Sequence, residues 1–170
     1  MADSETMQVL IRNADKNDLP AVISIYNYYV ENGFGAYPKR PVPDQFFYLL
    51  GQDAYSFVVA EREARVVGFG VAKPFLPFVT FSRSSAVTLY IHHNHRMQGI
   101  GKMLLDSMTE AVRARGVSVF LANISSKNNE GLLFYKDLGF VECGRFHNAG
   151  MKNGEIFDMI WLEKPLGEPG

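Results

Sequence analysis

Cysteine is almost missing from this chain: Cys143 is the single one in 170 residues. One thiol excludes an intramolecular disulfide and a multi-thiolate zinc site, and it fits a reducing compartment. The thiol is expected to be an ordinary buried one. A positive surplus is missing too, since 17 basic and 18 acidic side chains leave a formal net charge of −1. A general nucleic-acid binder carries a basic excess, so that class is excluded, although a local basic patch for phosphates is not. No apolar run approaches the ~18 residues that cross a bilayer, which argues against a membrane partner. The opening residues Met1 to Thr6 are acidic and polar, unlike a secretory signal. There is no internal repeat and no linker rich in Gly, Ser or Pro. What is present, 47% hydrophobic and 13% aromatic residues, excludes disorder. The expectation is a single cytoplasmic domain over residues 1–170, with 1–6 and 167–170 fraying.

Hydrophobic periodicity orders the rest. Gln8 to Arg12 reads as a short strand. Asp15 or Asn17 caps a helix whose apolar positions Leu19, Val22, Ile23, Tyr26, Tyr29 and Val30 recur at three- and four-residue spacing. Gly33, Gly35, Pro38, Pro41 and Pro43 break the chain into a loop, before a short helix from Gln45 to Leu50. The runs 55–60 and 66–71 flank a charged turn and predict a hairpin. After the aromatic loop 74–81, residues 86–91 predict a strand, and Gly99 to Arg115 a helix with Ile100, Leu104 and Met108 on one face. Residues 117–122 predict a strand, 128–138 a helix stopped by Gly139, and 140–146 with 156–162 a closing hairpin. This order predicts an α/β (α+β) class, a mixed sheet covered by helices on both faces.

The chemistry is concentrated in Arg96-Met97-Gln98-Gly99-Ile100-Gly101-Lys102, between a predicted strand and a predicted helix. Two glycines let the backbone approach a ligand with no β-carbon in between. The helix starting there offers unpaired N–H groups and the positive end of its dipole, and Arg96 and Lys102 add two cations. The segment reads as an anion cradle suited to a pyrophosphate. The alternative is a plain strand-to-helix turn that needs glycine for geometry alone. Other phosphate loops fail on detail: a dinucleotide fingerprint needs glycine where Leu104 stands, and a Walker loop needs Ser or Thr where Met103 stands.

These residues resemble the GNAT N-acetyltransferases. The pattern Arg/Gln-x-x-Gly-x-Gly after a strand such as Leu89-Tyr90-Ile91 is that family's, and the resemblance runs over residues 8–164. Within the family the chain is most similar to the phosphinothricin acetyltransferase branch. The stretches that carry this are Ile25-Tyr26-Asn27, Val59-Ala60-Glu61, Val67-Gly68-Phe69, Asn128 before Gly139-Phe140, Gly144-Arg145, Gly150-x-Lys152-x-Gly154 and Asp158. The resemblance implies a mostly antiparallel sheet of six to seven strands, splayed between the fourth and fifth, with acetyl-CoA in the gap. Backbone amides of Leu89, Tyr90 and Ile91 would pair with the pantetheine arm. The loop Arg96, Met97, Gln98, Gly99, Ile100, Gly101 and Lys102 would hold the pyrophosphate, with Asn128 and Tyr135 on the far side. It further implies direct attack of a primary amine, that of an amino acid or an analogue, in a ternary complex, and a homodimer. Tyr135 would be the general acid, with an ordinary phenol pKa near ~10; its alternative reading is an aromatic packed on the sheet.

The chain also departs from that branch. A glutamate on the fourth strand there deprotonates the amine through water, and here its position holds Ala86, with Phe81 and Ser84 altered nearby. Either the base lies elsewhere or the amine arrives neutral. Glu31, His147 and Glu155 are the candidate bases, although each reads first as a solvated surface residue. The alternative function is an acyl-CoA-binding regulatory or sensing domain with little turnover. His92, His93 and His95 invite a metal, but the first two are expected on opposite sides of an extended strand end with no carboxylate beside them, so none is expected. Phe75, Phe78 and Phe81, with Phe34 and Tyr37, read as pocket, dimer-contact or core aromatics. Loops 31–43 and 74–83 are expected to select the acceptor.

Overall fold

The structure is a computed structural model that describes residues 8–168; of the ends expected to fray, 1–6 and 167–170, residues 1–6 and 169–170 lie outside the described residues. Seven strands, β1 (Leu10–Asn13), β2 (Ser56–Arg62), β3 (Arg65–Pro74), β4 (Ser84–Ile91), β5 (Val119–Ser125), β6 (Val141–Lys152) and β7 (Glu155–Pro165), make one sheet. Its order is β1-β2-β3-β4-β5-β7-β6. Helices α1 (Leu19–Glu31), α2 (Phe46–Gly51), α3 (Ile100–Arg113) and α4 (Asn129–Asp137) complete the fold. The expected mixed, mostly antiparallel sheet is what forms: β4–β5 is parallel and the other pairs are antiparallel. Among the described residues, no helix is long and apolar enough to cross a membrane.

Two cores hold the layers together. On one face Val22, Ile25 and Val30 of α1 and Phe47 of α2 pack on Val59, Phe69 and Val71. On the other, Leu104, Leu105, Met108 and Val112 of α3 meet Val58, Leu89, Ala122 and Ile160. Each such side chain contributes about 1.5–3 kcal/mol relative to exposure, so the alternation of β2, β3 and β5 is fixed from both sides. Entry into α1 is fixed separately. Asp15 caps a short 3₁₀ turn, Lys16–Asp18, and the Asp18 carboxylate accepts from the Asp15 amide and, bidentately at 2.8 Å, from Arg12. Arg12 also donates to Glu61 on β2.

The sheet departs from the sequence expectation mainly in its last hairpin. Strands expected over 140–146 and 156–162 run over Val141–Lys152 and Glu155–Pro165. The β6–β7 register slips between Glu142 and Gly144 and again between Phe146 and Gly150. Nearly all of β6 is exposed, so no apolar alternation marks its length, and the bulges erase what period there is. Cys143 sits in the first bulge and is exposed, not buried as expected. At the other end, Gly167 and Glu168 follow β7, and the Glu168 carboxylate lies 3.2 Å from Arg83.

Candidate functional site

The site is made by a parting of strands. β4 and β5 pair only at Ser84–Val119, Ser85–Phe120 and Ala86–Leu121. β4 then continues to Ile91 beside β3, and β5 to Ser125 beside β7. The wedge between them leaves the β5-facing edge of Leu89 and Tyr90 without a strand partner, an edge able to pair with an extended ligand.

Tyr135 reaches into this wedge from α4. It is 8% exposed and packs edge-on against Phe140, with ring centroids 5.1 Å apart. Burial pushes its pKa up to about 12, while the Leu89 backbone amide beside the phenol pulls the other way. The ordinary phenol expected from the sequence is therefore a weaker acid that keeps its proton across the neutral range.

At the wide end of the wedge lies the glycine loop. Gly99 is the N-cap of α3 at φ +76°, with open space where a β-carbon would stand. Met97 is also left-handed, at φ 63°, and 99% exposed. The earliest amide bond of α3 runs from Met103 to the Gly99 carbonyl, so the Ile100, Gly101 and Lys102 amides face outward without intrahelical partners. Two left-handed residues followed by free amides form a concavity of the kind that suits an anion. Gly101 has a different task. A β-carbon there would lie 2.5 Å from the Phe134 ring, so its smallness seats α4 against α3. Arg62 bonds the Gln98 side chain, Arg96 pairs with Glu130 on α4, and Lys102 pairs with Asp106 at 2.6 Å. Asn128 stands across the wedge, its side-chain oxygen capping α4 through the Gly131 amide at 3.0 Å.

The segment after α1 closes the opposite side. Tyr37 donates to the Asn123 side chain at 2.7 Å and stacks on Phe157, while Phe34 meets Phe157 edge-on. Burial raises the Tyr37 pKa to about 12. Tyr90 donates to the Gly35 carbonyl at 2.8 Å. Lys152, 2% exposed, donates to the carbonyls of Val30 at 2.7 Å and Ala36 at 2.8 Å. Burial lowers its pKa. Sequence reasoning noted Lys152 only through its resemblance motif. A lysine beside a hairpin turn otherwise reads as exposed, and no pattern signals the carbonyls it meets. Phe75 packs on Phe81 and on Trp161 of β7, so one of the two aromatic loops joins this face.

The candidate bases fall on the periphery. Glu31 is exposed at the end of α1. His147 is 3.5 Å from Asp158, and Glu155 is 3.5 Å from Lys127. His92 and His93 do not point apart: their rings stack 4.5 Å from each other, and His93 stacks on Tyr28 at 3.9 Å. The strand ends at Ile91 and a 3₁₀ turn, His93–His95, capped by His92, brings the rings together. Among the described residues no group of three His, Cys, Asp or Glu side chains is set to hold a metal ion.

Comparison with known proteins identifies the family and the fold. The model of the acetyltransferase (GNAT) family matches residues 22–140. The chain is similar to the L-methionine sulfoximine/L-methionine sulfone acetyltransferase of Pseudomonas aeruginosa, 29% identical over 94% of this chain and 96% of that one. A crystal structure of a GNAT superfamily phosphinothricin acetyltransferase from Sinorhizobium meliloti, in complex with acetyl-CoA, superposes with a TM-score of 0.84 at 26% identity, covering 95% of this chain and 90% of the other. That of a ribosomal-protein-alanine N-acetyltransferase from Brucella melitensis superposes with a TM-score of 0.81 at 36% identity, covering 92% and 99%.

Proposed function

Because this chain belongs to the acetyltransferase (GNAT) family, an enzyme family, we propose that it moves an acetyl group from acetyl-CoA to the primary amine of a small amino acid or amino-acid analogue. Donor and acceptor would be held together in the β4–β5 wedge. The observation that carries the reading is the buried Tyr135 phenol beside the Leu89 amide, where the strand edges part. The relatives named for methionine sulfoximine and phosphinothricin support the acceptor class.

In this reading each part of the wedge has one task. Acetyl-CoA supplies an acyl thioester. The backbone of Leu89, Tyr90 and Ile91 fixes its extended arm. The amides of Gln98 to Lys102, beside Arg96 and Met97, receive the pyrophosphate, and Gly99 keeps side-chain bulk away from it. Asn128 and Tyr135 close the far side, and the Tyr135 proton is directed at the departing sulfur. Its high pKa keeps that proton in place before the C–S bond weakens. Tyr37, Phe157 and the segment 31–43 form the acceptor side. The reading treats residues 1–170 as one domain, working as a homodimer in the cytoplasm. The half-exposed Val141, Phe146, Met151 and Ile156 of the last hairpin and the single cysteine support those two points.

The test is a turnover assay with acetyl-CoA against the twenty L-amino acids, L-methionine sulfoximine, phosphinothricin and an alanine-initiated peptide, beside thermal melts with acetyl-CoA, CoA, ATP and NAD. Acetylation of a small amino acid or analogue is the expected result. A ligand at 100 times its Kd adds roughly 2.7 kcal/mol, so acetyl-CoA and CoA should raise the melting temperature by several degrees, unlike ATP and NAD. Acetylation of the peptide alone would move the acceptor class to protein N-termini. A melting shift without turnover would favour the regulatory or sensing alternative.

A further inference from the structure

The resemblance to the phosphinothricin acetyltransferase branch implies a carboxylate on β4 where this chain has Ala86, and the sheet register shows which side chains share that row. Residues directly opposite on neighbouring strands share a face. Lys73 on β3 is opposite Ala86, Ala86 is opposite Leu121 on β5, Leu121 is opposite Glu163 on β7, and Glu163 is opposite Val141 on β6. One row of side chains therefore crosses the sheet from Lys73 to Val141. It lies on the α1–α2 face, because Val71, two residues before Lys73, packs in that core, while Ala122 and Leu162, the neighbours of Leu121 and Glu163, are buried in the opposite one. This is the face on which Tyr37 meets Asn123. Alternation adds Thr88 on β4, Asn123 on β5 and Trp161 on β7, and none of these is a carboxylate.

We propose that Glu163 is the proton acceptor for the incoming amine, working from two strands away through water in the space left by Ala86. This rests on the acetyl-transfer reading above. An α-ammonium titrates above neutrality, so at pH 7 most acceptor molecules are protonated and not nucleophilic. Something must remove that proton. Two strand spacings of about 4.8 Å separate Ala86 from Glu163 with Leu121 between them, so the glutamate side chain and one or two waters bridge across the Leu121 side chain. Glu163 is half-buried, and among the described residues no ion pair holds it. The titratable groups around it do not neutralise it: Glu142 on β6 carries the same charge and pairs with Arg145 at 3.1 Å. The Cys143 thiol is itself pushed up by partial desolvation and then by the Glu163 charge, Lys73 donates to the Leu49 carbonyl, and Lys164 donates to the Leu138 carbonyl.

The proton balance is complete. One proton of the ammonium passes through water to the Glu163 carboxylate. The amine nitrogen then attacks the thioester carbonyl carbon, the C–N bond forms, the C–S bond breaks, and the sulfur leaves with the pair and takes the Tyr135 proton. The second proton lost from nitrogen restores the phenol, and Glu163 returns its own to solvent.

The test compares wild type with Glu163→Gln and Glu163→Asp at saturating acetyl-CoA, using the amino acid that wild type acetylates fastest, from pH 7 to 9.5. Glu163→Gln should lose about 10²-fold in kcat/KM at pH 7, with the deficit closing as pH approaches the acceptor's own pKa and bulk water supplies free amine. Glu163→Asp, which keeps a carboxylate, should lose less than tenfold. The melting temperature and its rise with acetyl-CoA should not move. An unchanged rate, a deficit constant across pH, or equal losses in both variants would overturn the proposal while the acetyltransferase reading stands. A wild type that acetylates no amine at all would remove both.

Discussion

The Lys152 ammonium, beside the far hairpin turn, donates to the Ala36 carbonyl at 2.8 Å, in the segment that follows α1. A second bond to Val30 leaves this cation among backbone oxygens, and among the described residues no carboxylate pairs with it. Hairpin and segment are thereby fixed to each other beside Tyr37 and Phe157, the side to which the proposed function assigns the acceptor. Lys152→Met keeps the length and removes the donor, stranding two carbonyls. We expect a stability loss of about 2 kcal/mol and a melting temperature lower by about 4–8 °C. KM for the amine should rise at least fivefold while acetyl-CoA affinity holds. Steady-state kinetics on both substrates check this, and an unmoved amine KM would separate the lysine from acceptor binding.

Tyr135→Phe removes one hydroxyl from a packed ring. The ring contacts with Phe134 and Phe140 remain, so folding and acetyl-CoA affinity should hold. Turnover should fall about 10²-fold if the phenol proton serves the leaving sulfur. An unchanged kcat would make Tyr135 a packing residue only.

The two loop glycines should respond differently. Gly101→Ala forces a β-carbon against Phe134, an overpacking of about 1–3 kcal/mol that a thermal melt would register. Gly99→Ala meets open space and carries only the left-handed penalty of about 1 kcal/mol, but it crowds the concavity before α3. Its larger effect should be on the acetyl-CoA dissociation constant, measured by titration calorimetry.

Acid stability should depend on Asp18. Its hydrogen bonds from Arg12, and then from the Asp15 amide, lower its pKa in the folded state, opposed by burial. A depressed folded pKa means that the group stabilises the fold above the ordinary aspartate value near ~3.9, and that this stabilisation is lost as pH falls through the folded value. Asp18→Asn should lower stability by about 2 kcal/mol at pH 7 and flatten the loss below pH ~4, as urea unfolding across pH would read. Equal acid slopes in both proteins would place the sensitivity elsewhere.

Much of the fold was legible because its elements bury one face. The three- and four-residue spacing of α1 and α3 and the apolar runs of β2 to β5 follow from burial in two cores. The last hairpin was less legible because its bulges and exposed edge carry no period. In the site, the glycine loop announced itself by Gly99 and Gly101, although only the structure separates their tasks: one adopts φ +76°, the other makes room for Phe134. The Tyr135 pKa, the stacked histidines and the exposure of Cys143 depend on neighbours that local patterns do not specify.

The sequence by itself determined the alternating elements and the glycine-flanked start of α3, because these are properties of neighbouring residues along the chain. Only the tertiary structure decided that Lys152 meets Ala36, that Tyr37 meets Asn123, and that Glu163 shares a row with Ala86. Those relationships join residues 77 to 116 positions apart. Strand register, set by the packing of both faces at once, brings them together.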